Sequence, residues 1–184
     1  MEEIYCGVLC PLRVKDGGRL EALLTRRNFI KLNGEMMSYP GEWVFAGGTM
    51  EPGDIDREAT AMREFREELF YDGPIGKPFL LREAEQQDNG FLYKIQFFAA
   101  YGINPAGLSF PEDLGGEVIS MAWLTPRGAA QMMKSTWFAD NQLREFKRRS
   151  LLIEERQFPH QQYKTLQYLV ENQERFSLDN SIAH

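Results

Sequence analysis

Three glutamates, Glu64, Glu67 and Glu68, are spaced i, i+3 and i+4 in a segment of helical period, which puts their carboxylates on one turn. Two carboxylates about 5 Å apart repel by roughly 3 kcal/mol at an effective dielectric of about 20, and by less than ~1 kcal/mol in open water. Such a trio is either a solvated face, with Arg63 and Arg66 as intrahelical partners, or it is neutralised by something that binds it. The preceding stretch decides between them. Gly47-Gly48-Thr49-Met50-Glu51-Pro52-Gly53-Asp54 puts three glycines and a proline into seven positions, and it reads as an irregular loop able to fold backbone carbonyls over the same carboxylates. Hard oxygen donors from carboxylates and carbonyls suit Mg²⁺ or Mn²⁺, so the pattern points to a divalent-metal site.

The helix that must carry the trio has Ala59, Met62, Phe65 and Leu69 on one face, with Glu64, Glu67 and Glu68 opposite. Asp54 or Asp56 is the candidate N-cap, and Glu58 lies early enough to suit the helix dipole. Arg63 is placed to pair with Glu67 at i, i+4.

Gly48, Glu51, Gly53, Asp54, Arg63, Glu64, Glu67 and Glu68, with Phe65 at the apolar position, resemble the Nudix box of the Nudix hydrolases. Two features depart from its commonest form. One extra residue lies between Asp54 and Arg63, and Phe70 stands where the family usually has glycine, so the helix is expected to end at Asp72-Gly73. The resemblance implies an α+β fold, an α/β/α sandwich around a mixed sheet, and Mg²⁺-dependent (or Mn²⁺-dependent) hydrolysis of a pyrophosphate bond. Glu64, Glu67 and Glu68 would be the anionic metal ligands and the Gly47 carbonyl a neutral one. Glu64 is the first candidate for the general base, a loop glutamate the second, and Arg63 orients the helix glutamates. Relatives bring another glutamate from the loop before a late strand. Glu117 is the preferred candidate for that metal ligand, with Glu112 on the substrate side and surface charge as the bland alternative for both. Arg27, otherwise an ordinary exposed strand end, is the candidate phosphate-binding arginine, because a planar fork matches phosphate oxygens.

The expected substrate is a small nucleoside diphosphate derivative. Asp54-Ile55-Asp56 through Thr60-Ala61-Met62-Arg63-Glu64, together with Leu23-Leu24-Thr25-Arg26-Arg27, is similar to the signature of Nudix coenzyme A pyrophosphatases. The connection from Asn28 to Glu42 is longer than theirs and lacks their histidine. Nucleotide sugars, ADP-ribose, dinucleoside polyphosphates and a nucleotide-pool cleaner stay open. A non-catalytic nucleotide-sensing module is the rival of another class, although such modules tend to lose helix glutamates that are all present here. A Nudix-related isomerase would need cysteine and acidic residues outside the box that do not match.

Composition sets the outer limits. The chain has 184 residues, 43% of them hydrophobic, with 13 Phe, 7 Tyr and 3 Trp, enough for a real core. Its net charge of −6 argues against general nucleic-acid binding, though not against a nucleotide held through a cation. Cys6 and Cys10 are four apart in a predicted strand, too far to pair, and with His160 and His184 remote no zinc site is expected. Buried reduced thiols, no leader-like start and no membrane-length apolar run lead to a cytoplasmic expectation.

In chain order, Ile4 to Val14 reads as a strand ended or bent by Pro11, and Leu20 to Arg26 as its hairpin partner. Trp43-Val44-Phe45 delivers the glycine loop, Pro78 to Glu85 and Phe91 to Tyr101 form two more strands, and Val118 to Leu124 another. A helix is expected from Thr125-Pro126 through Met133. Residues 1–135 are assigned to the hydrolase domain and 136–184 to a helical extension packed on it. That extension has one helix region marked by Trp137, Leu143, Phe146, Leu151 and Ile153 and a second, after Pro159, marked by Tyr163, Leu166, Leu169, Val170 and Phe176. The extension is a candidate pocket cap, homodimer contact or added core.

Overall fold

In the computed structural model, residues 1–29, 37, 39–88, 90–110, 116–136 and 159–178 are described. The first strand, β1 (Glu2–Lys15), is the axis of the sheet. Along one edge it pairs in parallel with β6 (Phe91–Ala100), from Glu2 opposite Phe91 to Pro11 opposite Ala100. It also pairs antiparallel with β4 (Ala46–Thr49) over Cys6 to Leu9, and with β2 (Arg19–Arg27) over Leu12 to Lys15. Pro11 therefore does not end the strand. It falls between the two antiparallel partners, where neither of their ladders needs its missing N–H.

The remaining strands extend this frame. β5 (Phe79–Asp88) pairs with β6, and both β3 (Trp43–Val44) and β7 (Val118–Leu124) pair with β2. Residues 7 to 12 of β1 are all buried, so the central strand is covered on both faces. On one face Leu9, Leu23, Ala46 and Phe98 meet Ala61, Phe65 and Leu69 of α1 (Arg57–Leu69). On the other, Val8, Cys10, Leu12, Phe45 and Phe97 meet Ala129 and Met133 of α2 (126–136) and Leu166, Leu169 and Phe176 of α3 (His160–Glu171) and α4 (Gln173–Leu178). The product is an α+β arrangement of helices on both faces of a mixed sheet. The helix expected around Trp137 to Ile153 lies outside the described residues.

Two details of α1 differ from expectation. Gly47, Gly48 and Thr49 belong to strand β4, not to a loop, and pair with Val8, Gly7 and Cys6. Glycine is unfavourable in a strand unless another group comes close, and here α1 does. A Cβ on Gly7 would collide with the Arg57 carbonyl and the Ala61 amide, and one on Gly48 with the Glu64 carboxylate. The helix also stops at Leu69, earlier than Asp72-Gly73. Phe70 adopts the left-handed conformation (φ 44°, ψ 41°), and the Tyr71 amide donates to the Arg66 carbonyl at 3.1 Å. The glycine-type helix end is thus kept without glycine.

Cys6 and Cys10 are free thiols, Cys10 in the core, and no helix among the described residues is long and apolar enough to cross a membrane.

A left-handed residue with a Cβ costs about 1–2 kcal/mol, and Phe70 is 58% exposed, so it has little packing to lose. Phe70→Gly is expected to raise the melting temperature by roughly 2–4 °C, whereas Phe70→Ala, which keeps the Cβ, gives no such gain. Thermal unfolding of both variants checks this.

Candidate active site

The Asp56 side chain accepts from the Ala59 amide at 2.8 Å, so it is the N-cap of α1, and Asp54 is free for another task. Asp54 receives Arg63 Nε at 3.1 Å and Nη2 at 3.0 Å, the Glu51 amide at 2.9 Å and the Thr60 hydroxyl at 3.0 Å. The two-pronged grip of Arg63 keeps the Asp54 carboxyl well below the usual carboxylate range. Arg63 Nη2 also donates to the Thr49 carbonyl at 3.2 Å, and Nη1 reaches both Glu64 Oε1 and Glu67 Oε2 at 3.0 Å. One side chain thereby fastens β4, the loop and two helix glutamates.

The three glutamates do not share one face. The buried stripe of α1 runs through Ala61, Phe65, Glu68 and Leu69 at i, i+4, i+7 and i+8. Glu68 therefore turns inward, its side chain 4% exposed, while Glu67 turns outward at 60%. Glu64 lies between them, its carboxylate over the bare backbone of Gly48. Burial raises the Glu64 pKa, opposed by Arg63 and reinforced by Glu67 and Glu117.

The opposite wall comes from distant parts of the chain. The Arg27 amide donates to the Glu42 carbonyl at 2.9 Å and its carbonyl accepts from Gly41 at 3.1 Å, so the long connection after β2 returns to where it left. Asn28 binds the backbone ahead of β7, its amide to the Glu117 carbonyl at 2.8 Å and its side chain to the Gly116 carbonyl at 3.0 Å. Arg27 then reaches Glu117 Oε2 at 2.8 Å and Glu68 Oε1 at 3.5 Å. The loop-to-Glu117 tie through Asn28 has no local signal in the sequence, because the partners are 88 residues apart or more.

Glu68 is the anomaly of the site. Both of its carboxylate oxygens are buried without a hydrogen-bond partner. Burial pushes its pKa up to about 8; Arg27 pulls the other way, Glu117 and Glu64 push it further up, and the nearby Gly47 amide lowers it slightly without forming a well-made bond. An ionised group in this setting needs a cation near its oxygens. Gly47, Glu64, Glu68, Arg27 and Glu117 are brought to one place, Glu67 sits at its edge on Arg63, and Glu112 lies outside the described residues. Among the described residues, no three acidic, histidine or cysteine side chains converge closely enough to grip a metal ion. Two arginines instead divide the carboxylates, Arg63 taking Glu64 and Glu67, and Arg27 taking Glu68 and Glu117.

The NUDIX domain model matches residues 6–148. The chain belongs to the NUDIX family. Its enzyme class follows, a Nudix-type hydrolase acting on a pyrophosphate bond. Among solved structures, the chain is similar to a MutT NUDIX hydrolase from Burkholderia pseudomallei, at 15% identity and TM-score 0.55, over 92% of this chain and 99% of that one. It is similar to a C. elegans Ap4A hydrolase in a binary complex, at 18% identity and TM-score 0.54, over 71% and 86%. The NUDIX domain of Shewanella oneidensis NrtR complexed with ADP ribose also resembles it, at 16% and 0.54, over 78% and 90%. At these identities the likeness is one of fold. No curated protein matches by sequence.

Between the ordinary glutamate value of 4.5 and about 8, the folded NUDIX chain holds a proton on Glu68 that the unfolded chain has lost. Stability from this group is present at the acid end of that window and is lost as pH rises to its upper end. Glu68→Gln cannot ionise, so its stability relative to the metal-free parent is expected to grow with pH and to be greatest above the upper value. Urea midpoints of both proteins at acid, neutral and alkaline pH check the sign.

Proposed function

We propose that the protein is a Mg²⁺-dependent pyrophosphohydrolase, with Mn²⁺ as a substitute, cleaving the diphosphate of a coenzyme A-like compound. The observation that carries the metal reading is the buried Glu68 carboxylate, which lacks a hydrogen-bond partner and stands beside Gly47, Glu64 and Glu117. The donor set fits a hard divalent ion: the carboxylates of Glu64, Glu67, Glu68 and Glu117, and the Gly47 carbonyl. When bound, such an ion supplies the positive charge that gathers phosphate oxygens in an acidic cleft and acidifies the attacking water.

The chain's own residues do the rest. Glu64 accepts the proton of the attacking water, and its partial burial suits it by raising its proton affinity. Arg63 keeps Glu64 and Glu67 in place from its anchor on Asp54 and need not touch substrate. Arg27 offers its fork to the phosphates and stabilises charge on the departing one. Glu117, just ahead of β7, is bonded to Arg27.

The coenzyme A reading is supported by the Asp54–Glu64 and Leu23–Arg27 segments and by the extra residue between Asp54 and Arg63. Dinucleoside polyphosphates and ADP-ribose stay in the same class, since the fold also serves an Ap4A hydrolase and a domain complexed with ADP ribose. A module that binds a nucleotide is the second reading, since a domain of similar fold is complexed with ADP ribose. The free thiols Cys6 and Cys10 support placing the protein in the cytoplasm.

A phosphate-release screen with Mg²⁺ across coenzyme A, ADP-ribose, nucleotide sugars, dinucleoside polyphosphates and nucleoside triphosphates tests this. Turnover of coenzyme A above the rest is expected, and inactivity on all of them would favour the binding module. Glu67→Gln and Glu68→Gln are each expected to reduce turnover to background while the proteins still unfold cooperatively. Activity surviving both changes would refute the metal assignment.

A further inference from the structure

Arg27 and Arg63 hold their carboxylates in different ways. Arg63 grips Asp54 through two bonds of 3.0 and 3.1 Å, the bidentate geometry of a permanent structural pair. Arg27 has no such fork. It makes one good bond, Nη2 to Glu117 Oε2 at 2.8 Å, and stands 3.5 Å from Glu68 Oε1 without hydrogen-bonding to it. Its Nε is buried with no partner, and its side chain is only 13% exposed. The guanidinium is thus well placed as a charge between two carboxylates and poorly placed as a hydrogen-bonding group. A purely structural arginine has no reason to leave three buried polar positions, its own Nε and both Glu68 oxygens, unsatisfied.

We propose that Arg27 is the built-in cation of the metal-free site, occupying the space between Glu68 and Glu117 in competition with the divalent ion and leaving it when that ion binds. This rests on the metal-dependent reading above and adds to it a rule for loading. Arg27 lowers the affinity for metal in the absence of substrate. Phosphate oxygens that draw its guanidinium away release the two carboxylates, so substrate and metal favour each other's binding, and that coupling is reciprocal. The backbone bonds at both sides of Arg27, to Glu42 and Gly41, keep the main chain in place while the side chain moves.

Calorimetric titration of Mn²⁺ into the substrate-free protein tests the idea, with Arg27→Met removing the charge but keeping the stem, and Arg27→Lys keeping the charge. Arg27→Met is expected to bind Mn²⁺ tighter by on the order of tenfold, the scale of one screened neighbouring charge, with Arg27→Lys close to the parent. Equal or weaker binding by Arg27→Met, where the parent binds Mn²⁺ and Glu68→Gln does not, overturns this proposal alone. No Mn²⁺ binding by either the parent or Arg27→Met overturns it together with the metal reading. Crystals of the unsubstituted protein soaked in manganese chloride give an independent readout. The guanidinium is expected to have left Glu68 and Glu117, and an intact Arg27–Glu117 bond beside bound Mn²⁺ would overturn the proposal.

Discussion

Helix α1 lies so close to the sheet that Gly7 beneath it has no room for a Cβ, and Gly48 has none while Glu64 keeps its place. At Gly7 the helix backbone itself fills the space a Cβ would need, and at Gly48 the Glu64 carboxylate does. This close approach settles the rest of the site. It seats Ala61, Phe65 and Leu69 in the core, and the geometry of the same stripe carries Glu68 inward with them. A carboxylate placed there by packing, with no well-made hydrogen bond to either oxygen, stores a desolvation cost that a cation can offset. The apolar packing of the helix and the chemistry of the site are therefore one problem, not two.

Charge in the cleft is organised around two guanidiniums. Arg63 is enclosed by Asp54, Glu64, Glu67 and the Thr49 carbonyl, and this ring of acceptors holds its proton more firmly than usual. It behaves as a fixed strut. Arg27 is held only through its main chain and one good side-chain bond. Its partners Glu68 and Glu117 come from elements 49 or more residues apart in the sequence, so the pair exists only once the sheet has closed. One firmly held guanidinium and one bound by a single good hydrogen bond suit the proposed binding of an ion and a diphosphate.

Local signals made part of this legible. The helix and the Arg63–Glu67 pair depend on spacings of three and four residues, which the helix itself fixes. Strands β2 and β7 were likewise readable from short apolar runs. The inward turn of Glu68 was not. Phe65 and Leu69 fit a stripe with Ala59 and Met62 equally well on paper, and only contact with the sheet selects Ala61 and Glu68 as their buried companions. Composition also misled at Gly47 and Gly48, where glycine signals close approach within a strand and not a loop. At Phe70, backbone geometry prevailed over residue preference, and the helix ended in a left-handed residue despite its side chain. Arg27 and Glu117 were suggested by family resemblance alone, and nothing in the sequence foretold that they would bind each other.

The central claim is that Glu68 is a buried acid whose ionised form depends on a cation. The side-chain carboxyl carbon of Glu68, followed by NMR through a pH titration with and without Mg²⁺, tests it most directly. Without the metal it should titrate at about 8, and saturating Mg²⁺ should keep it ionised to far lower pH. A midpoint near the ordinary 4.5, or one that Mg²⁺ leaves unmoved, would contradict the account.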